Sequence, residues 1–269
     1  MRLKKFAVLL LLLLPTLVLG NGQQEKEIKD LKAKVTSLAD NFQTTINKGE
    51  LKNNHELAVA QTRLLRKVFT YEIYMKLKTM GYRRNRRDIE EMVEAAWNNS
   101  WVFQDLGDTH IDRFVLILQW AKDESGFGKD TVASWKKGQY IKRMDITIKK
   151  DSTDYGAWQN NGDNLQFLKI INYLYESGVI RYKVNKIKTF KDLMDIQTSA
   201  AARCLIETDR KSRGWEWRHI GDKKFYAWLY RTIGSLEREG SYNRAFVEKH
   251  YNITPYKKFS YANRNKKQK

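Results

Sequence analysis

The chain has a single cysteine, two prolines and four histidines in 269 residues. One cysteine excludes an internal disulfide. Cys204 lies in the run "TSAAARCLIETD", where an apolar setting disfavours the thiolate that a nucleophile needs, so it reads as a small buried hydrophobe. His55, His110, His219 and His250 are scattered. With no His-Glu-x-x-His spacing and no cysteine cluster, no metal site is expected. The chain also lacks a Gly-x-Ser-x-Gly elbow and a phosphate-binding glycine loop, which removes serine-hydrolase and phosphate-loop chemistry, and no cofactor is expected. There is no internal repeat. So little proline leaves long helices uninterrupted.

What the chain has in excess is positive charge. Fifty Lys and Arg face 31 Asp and Glu, a net charge of +19. Such an imbalance points to a polyanionic partner. The first residues bear on the compartment. Arg2, Lys4 and Lys5 precede the 14-residue apolar run "FAVLLLLLLPTLVL", and Val18-Leu19-Gly20 follows the small-residue cleavage pattern. That is the make-up of a secretory signal peptide over residues 1–20. Fourteen residues are short for a bilayer span, so the expected product is a cleaved, periplasmic or secreted protein with no stable transmembrane segment. Export argues against nucleic acid as the partner and leaves cell-wall polymers and other surface polyanions. An apolar fraction of 42% with eight Trp supplies a packed core.

Periodicity indicates a mainly α chain. Ile28, Leu31, Val35, Leu38 and Phe42 form a seam at spacings of three and four, a short coiled coil or bundle helix that Gly49 interrupts. Three heptads are marginal alone, so this helix is expected to pack on something. A second helix runs through Leu57, Leu64, Val68, Tyr71 and Met75 to about Gly81, completing a helical extension over 21–81 that suits docking to an envelope or secretion partner. The basic connector "YRRNRRD" then opens a domain over 82–262, with Asp88 as the expected cap of its first helix. Asp108 or Thr109 caps a central helix through "IDRFVLILQWAK". Met144, Ile146 and Ile148 alternate with polar residues between Gly138 and a polar turn at 151–154, which reads as a β-hairpin inserted after that central helix. Helical patterns resume to the end, and residues 263–269 are a basic tail too charged to fold alone.

Two carboxylates stand out. Glu124 ends the most apolar helix, beside Trp120 and ahead of Phe127. Desolvation and the negative end of the helix dipole both favour the protonated form that a general acid requires. Asp154 lies in the polar turn after the hairpin, among Ser152, Thr153 and Tyr155, a setting for an ionised partner. A pair with opposed environments suits glycosidic-bond cleavage.

The motifs Glu124-Ser125-Gly126-Phe127 and Gly156-Ala157-Trp158-Gln159, in that order with a β-like segment between them, resemble the lysozyme-like superfamily and, within it, the bacterial lytic transglycosylases. "STDYG" is similar to the matching segment of c-type lysozymes. The resemblance covers about residues 82–260 and implies an α+β lysozyme-like domain. It implies Glu124 as catalytic acid, Asp154 in the place of the second carboxylate, and peptidoglycan strands as the partner. Ser125, Tyr155, Gly156, Trp158 and Gln159 would line the sugar cleft, with Trp158 the tryptophan placed to stack on sugar. "FYAWLYR" stands for the segment that carries a tyrosine near the catalytic glutamate, here Tyr230, with Arg231 replacing the expected asparagine. In "AFVEKHY", Phe246 takes the place of a tyrosine. "QNN" replaces the usual Gln-Ile-Asn, which makes an apolar core position polar. The implied reaction is cleavage of the β-1,4 MurNAc–GlcNAc bond with formation of 1,6-anhydro ends. Hydrolysis by Glu124 and Asp154, or wall binding without catalysis, is the alternative.

Overall fold

A computed structural model describes residues 3–47, 55–82, 84–128, 132–133, 141–143, 146–148, 154–161, 165–212, 214 and 221–251. Gly49, Arg83, Trp135, Gly138, Met144, Ser152, Thr153, Trp215, Trp217 and the tail 263–269 lie outside these residues, as do the side chains of the apolar leader. The chain is mainly helical. It runs α1 (Leu3–Asn47), α2 (His55–Thr79), α3 (Arg86–Val102), a 3-10 turn η1 (Gln104–Leu106) and α4 (His110–Ser125). Five short strands follow: β1 (Val132–Ala133), β2 (Ile141–Arg143), β3 (Ile146–Ile148), β4 (Asp154–Tyr155) and β5 (Asn160–Asn161). Then come α5 (Leu165–Leu168), α6 (Ile170–Glu176), a second 3-10 turn η2 (Phe190–Met194), α7 (Ile196–Ser212), α8 (Lys223–Arg238) and α9 (Arg244–Tyr251). Among the described residues no helix is long and apolar enough to cross a membrane.

The chain divides into two compact units, Met1–Gly81 with Thr232–His250, and Tyr82–Arg231 with Tyr251–Lys269. The sequence assigns 82–262 to one domain, whereas residues 232–250 group with the first unit. Their contacts explain it. Lys32 pairs with Glu239 at 2.6 Å, Gln61 accepts the N–H of Asn243 at 3.3 Å, and Phe42 lies 5.8 Å from Phe246.

In the first unit α1 and α2 are antiparallel. Glu27 meets Lys67 at 3.5 Å, and Lys34 meets Glu56 at 3.0 Å, so one helix ascends as the other descends. Leu31 and Val35 of the seam are buried, as are Leu57, Leu64, Leu65, Val68, Phe69, Ile73 and Leu77 of α2. Ile28, Leu38 and Phe42 are half-buried. The seam thus finds a cover within its own chain, which a helix pair needs because neither helix can bury its stripe alone.

In the second unit α3 begins at Arg86. Asn85, not Asp88, is its cap, and its side chain accepts from the Arg87 N–H at 3.0 Å. Asp88 sits inside the first turn, where its charge still complements the helix dipole. Thr109 caps α4 in a reciprocal box with Asp112, each side chain taking a backbone N–H of the other. Helix α4 buries His110, Ile111 and every residue from Arg113 to Ala121. A helix buried all round lies in the middle of its domain. Arg113 reaches out of it to the carbonyls of Ser100 at 2.5 Å and Gly107 at 2.8 Å, which fastens the α3–α4 turn. Small residues Ser199 to Ala202 are all buried on α7.

Strands β2 and β3 pair antiparallel, Ile141 with Ile148. A separate sheet has the order β1-β4-β5, with Val132 opposite Tyr155 and Asp154 opposite Asn161. Asp154 therefore belongs to the central strand rather than to a polar turn. The rest of the expected polar turn, 151–153, lies outside the described residues; a turn follows the strand at 156–159, where Gly156 takes the left-handed backbone.

One contact in the first unit joins two histidine rings. His55 Nδ1 lies 3.1 Å from His250 Nε2, one ring donating and the other accepting. Desolvation first, and then the charge of His55, hold the His250 pKa below the ordinary value. Neutral His250 therefore stabilises the fold above about pH 6.5, and that contribution is lost as the pH falls through the lowered value. The melting temperature read on the helical signal is expected to fall between pH 7 and pH 5, and His250→Gln to flatten that dependence.

Candidate active site

The end of α4 is knotted rather than frayed. Gly126 adopts φ 59°, its N–H bonds to Lys122 O at 2.9 Å, and the Phe127 N–H reaches back to Ala121 O at 3.1 Å. This double closure satisfies helix carbonyls, and glycine takes the left-handed backbone without steric cost. Phe127 follows at φ 60°, an uncommon backbone for a phenylalanine, and is held there by full burial and by Phe225 at 5.9 Å. Arg84 of the basic connector donates to Gly126 O at 3.1 Å, a cation at the negative end of the helix.

Ser125 then joins the two motifs. Its Oγ donates to Ala157 O at 2.6 Å and accepts the Gly128 N–H at 2.9 Å. The partner segment 156–159 is the turn of the β4–β5 hairpin, closed by Gln159 N–H to Gly156 O at 3.0 Å. Gly156 has φ 78°, and a Cβ there would stand 2.0 Å from Leu193 O and 2.4 Å from Ser199 Oγ. Only glycine fits. Asn160, the polar departure in "QNN", is buried, and its amide nitrogen donates to Ser199 O at 2.9 Å and Ser199 Oγ at 3.0 Å. Ser199 takes up the amide nitrogen, while Asn160 Oδ1 is buried with no hydrogen-bond partner among the described residues.

The side chain of Glu124 is 32% exposed, so solvent or a ligand can reach it. Its neighbour is a cation. Arg203 Nη2 lies 2.9 Å from Glu124 Oε1, and the Arg203 guanidinium rests 5.6 Å from the Trp120 ring centroid. On its other side Arg203 Nε lies 3.0 Å from Glu207, which is 2% exposed and also meets Arg210 at 2.7 Å. Trp120 and Phe127 are both buried, and Arg203 lies over the Trp120 ring. A carboxylate facing a guanidinium is an ion pair, so proton donation by Glu124 requires that pair to open. Asp123 points elsewhere. It accepts the N–H groups of Gly221 at 2.8 Å and Asp222 at 3.1 Å, which fastens the start of α8.

The other expected residues divide. Tyr155 is half-buried on β4 and stacks on Phe190, centroids 5.5 Å apart at 13°. Gln159 is half-buried with φ 48°, its amide donating to Gly156 O within the turn. Asp154 is half-buried next to that turn. Trp158 is not a stacking surface. It is fully buried, its indole N–H donating to Ile117 O at 2.9 Å, so it anchors the turn to α4. Tyr230 is not beside Glu124 either. Its hydroxyl donates to Asp112 at 2.7 Å, in the first turn of α4, and Glu124 is twelve residues further along, about 18 Å at the α-helical rise. Burial, then the bonds with Tyr226 and Asp112, push the Tyr230 phenol far above its ordinary pKa. It stays neutral.

Arg203, Glu207 and Phe190 went unread in the sequence. The spacing Arg203-x-x-x-Glu207-x-x-Arg210 amid "CLI" is a legible helical charge ladder, and Phe190 carried no signal. Among the described residues no group of His, Cys, Asp and Glu is arranged to hold a metal ion. Comparison with protein-family models, curated proteins and solved structures finds no match for this chain.

Gly156→Ala is expected to destabilise the second unit by at least about 3 kcal/mol, from steric overlap plus an unfavourable backbone. Urea unfolding followed by tryptophan fluorescence measures it.

Proposed function

We propose that the second unit is a lysozyme-like domain of an exported protein that cleaves the β-1,4 MurNAc–GlcNAc bond of peptidoglycan, with Glu124 as acid and then base. The observation that carries this reading is the Ser125–Ala157 bond of 2.6 Å, which sets the Glu-Ser-x-Phe helix end against the Gly-x-x-Gln turn. A partly exposed carboxylate stands at that junction. The buried central helix, the β excursion after it and the return through α7 are also in keeping with the reading.

In this mechanism Glu124, released from Arg203 and protonated, gives its proton to the glycosidic oxygen, and the C1–O bond breaks. The resulting carboxylate takes the proton of the MurNAc 6-hydroxyl, whose oxygen closes on C1. The products are a free 4-hydroxyl and a 1,6-anhydro end, and the carboxyl group is restored. Tyr155 and Gln159, half-buried at the turn, remain the cleft residues in this reading, while Ser125, Gly156 and Trp158 hold its walls. Asp154 is half-buried beside the turn, which keeps hydrolysis as the variant reaction, with water in place of the 6-hydroxyl. The Arg203–Glu124 ion pair favours a second reading, a wall-binding relative that has lost the chemistry, because the guanidinium occupies the carboxylate that would have to meet the glycosidic oxygen. Under either reading the helical first unit is the surface for an envelope partner.

Purified sacculi digested with the full chain, and the products read by mass spectrometry, test all three. Anhydro ends support the transglycosylase, reducing ends the hydrolase, and no release the binder. Glu124→Gln is expected to stay folded and lose about a thousand-fold in rate. Normal turnover by that variant overturns the assignment.

A further inference from the structure

Between α6 and η2 the chain crosses the surface without regular structure, yet it is firmly held. Val184 and Ile187 are buried as anchors. The Asn185 N–H donates to Thr198 Oγ1 at 2.7 Å. Asn172 brackets Ile187, accepting its N–H at 2.7 Å and donating to its carbonyl at 3.0 Å. The Lys188 and Thr189 N–H groups both donate to one Asp192 oxygen, at 2.8 Å and 2.7 Å.

This pinned segment displays Arg181, Lys183, Lys186, Lys188 and Lys191, all exposed. Glu176 pairs with Lys186 at 3.1 Å, and Asp192 faces Lys188 while serving the backbone. Arg181, Lys183 and Lys191 have no acidic partner among the described residues. Holding like charges together on an ordered segment is unfavourable, and nothing in the packing requires it, since the anchors are Val184 and Ile187. Aromatic rings flank the same segment. Phe190 is 37% exposed and stacks on Tyr155, one residue before the Gly156 turn. Tyr173 and Tyr175, either side of Leu174 on α6, are 59% and 43% exposed.

Cations suit carboxylates or phosphates. Flat exposed rings suit the C–H face of a pyranose, whose hydrogens meet the negative face of the ring. The two together favour one ligand class. We propose that residues 181–191, with Tyr173, Tyr175 and Phe190, form a docking strip for an acidic polysaccharide, a glycan strand carrying carboxylates. The strip leads to Tyr155 and so to the junction of the two motifs. As an extension of the glycan-cleaving site it rests on that reading, although binding to it needs no catalysis. A strand held there continues from the turn over at most about 33 Å of chain.

The test uses the full chain carrying Glu124→Gln, so that ligands survive. Fluorescence anisotropy is measured with labelled acidic glycan strands released from sacculi, with neutral chitin oligosaccharides of similar length, and with single-stranded DNA. Acidic strands are expected to bind at least about ten-fold more tightly than chitin. Joint replacement by Arg181→Gln, Lys183→Gln, Lys188→Gln and Lys191→Gln is expected to erase that difference and leave chitin binding unchanged. Phe190→Ala is expected to weaken both glycans. Circular dichroism checks that these surface variants fold. Equal binding of acidic and neutral strands, undiminished binding by the four-fold variant, or tighter binding of DNA through the same residues overturns the strip. Cleavage of sacculi by the native chain alongside unchanged binding by the variant removes the strip and leaves the enzyme. Charge-dependent binding with no cleavage removes the enzyme and leaves the strip.

Discussion

The hydrogen bond from Ser125 Oγ to the Ala157 carbonyl is the contact on which the second unit's candidate site depends. It joins positions 32 residues apart, across four of the five strands found among the described residues. Ser125 Oγ also lies 3.2 Å from Ala121 O of its own helix, so one hydroxyl serves both the helix end and the turn. The turn it grips is fixed independently by Trp158 on Ile117, by Asn160 on Ser199 and by the absence of a Cβ at Gly156. Four side chains and one missing side chain thus set a single geometry. Each is small or buried, so the junction is closely packed.

Electrostatics at this junction run against a simple acid. Arg203 lies between Glu124 and the buried Glu207, and its guanidinium rests on Trp120. Burying a cation is costly unless carboxylates and a ring face accompany it, and here Glu207 and Trp120 serve that need while Glu124 completes the set from the solvent side. Glu207 also keeps Arg210 as a second partner.

The positive excess of the chain is not spread evenly. Around α1 and α2 much of it is consumed by pairs such as Lys34 with Glu56 and Lys67 with Glu27. Arg84 is used on helix carbonyls, and Arg113 is buried on others. In the second unit Arg181, Lys183 and Lys191 are exposed on an ordered segment with no regular structure. Net charge raises the expectation of a polyanionic partner without saying where it would sit, since only packing distinguishes a cation used internally from one displayed.

Helices were legible because burial of an apolar stripe imposes its own period. The seam of α1, the stop near Gly81, the Thr109 cap and the apolar α4 all follow from local pattern. Corrections came where non-local contacts decide. Asn85 displaced Asp88 as the cap of α3 by one turn, within the usual reach of local competition. Trp158 reads as a sugar platform in one dimension and is a core anchor in three, because a ring in a tight turn faces whichever side the turn is bonded to. Tyr230 stands in a promising motif, yet helix rise carries it to the far end of α4. The sequence by itself determined the helical class and the order of the two motifs. The tertiary structure decided their junction, the partner of Glu124 and the exposure of the cationic strip, because those are matters of which distant groups share one volume, and periodicity along a chain holds no such information.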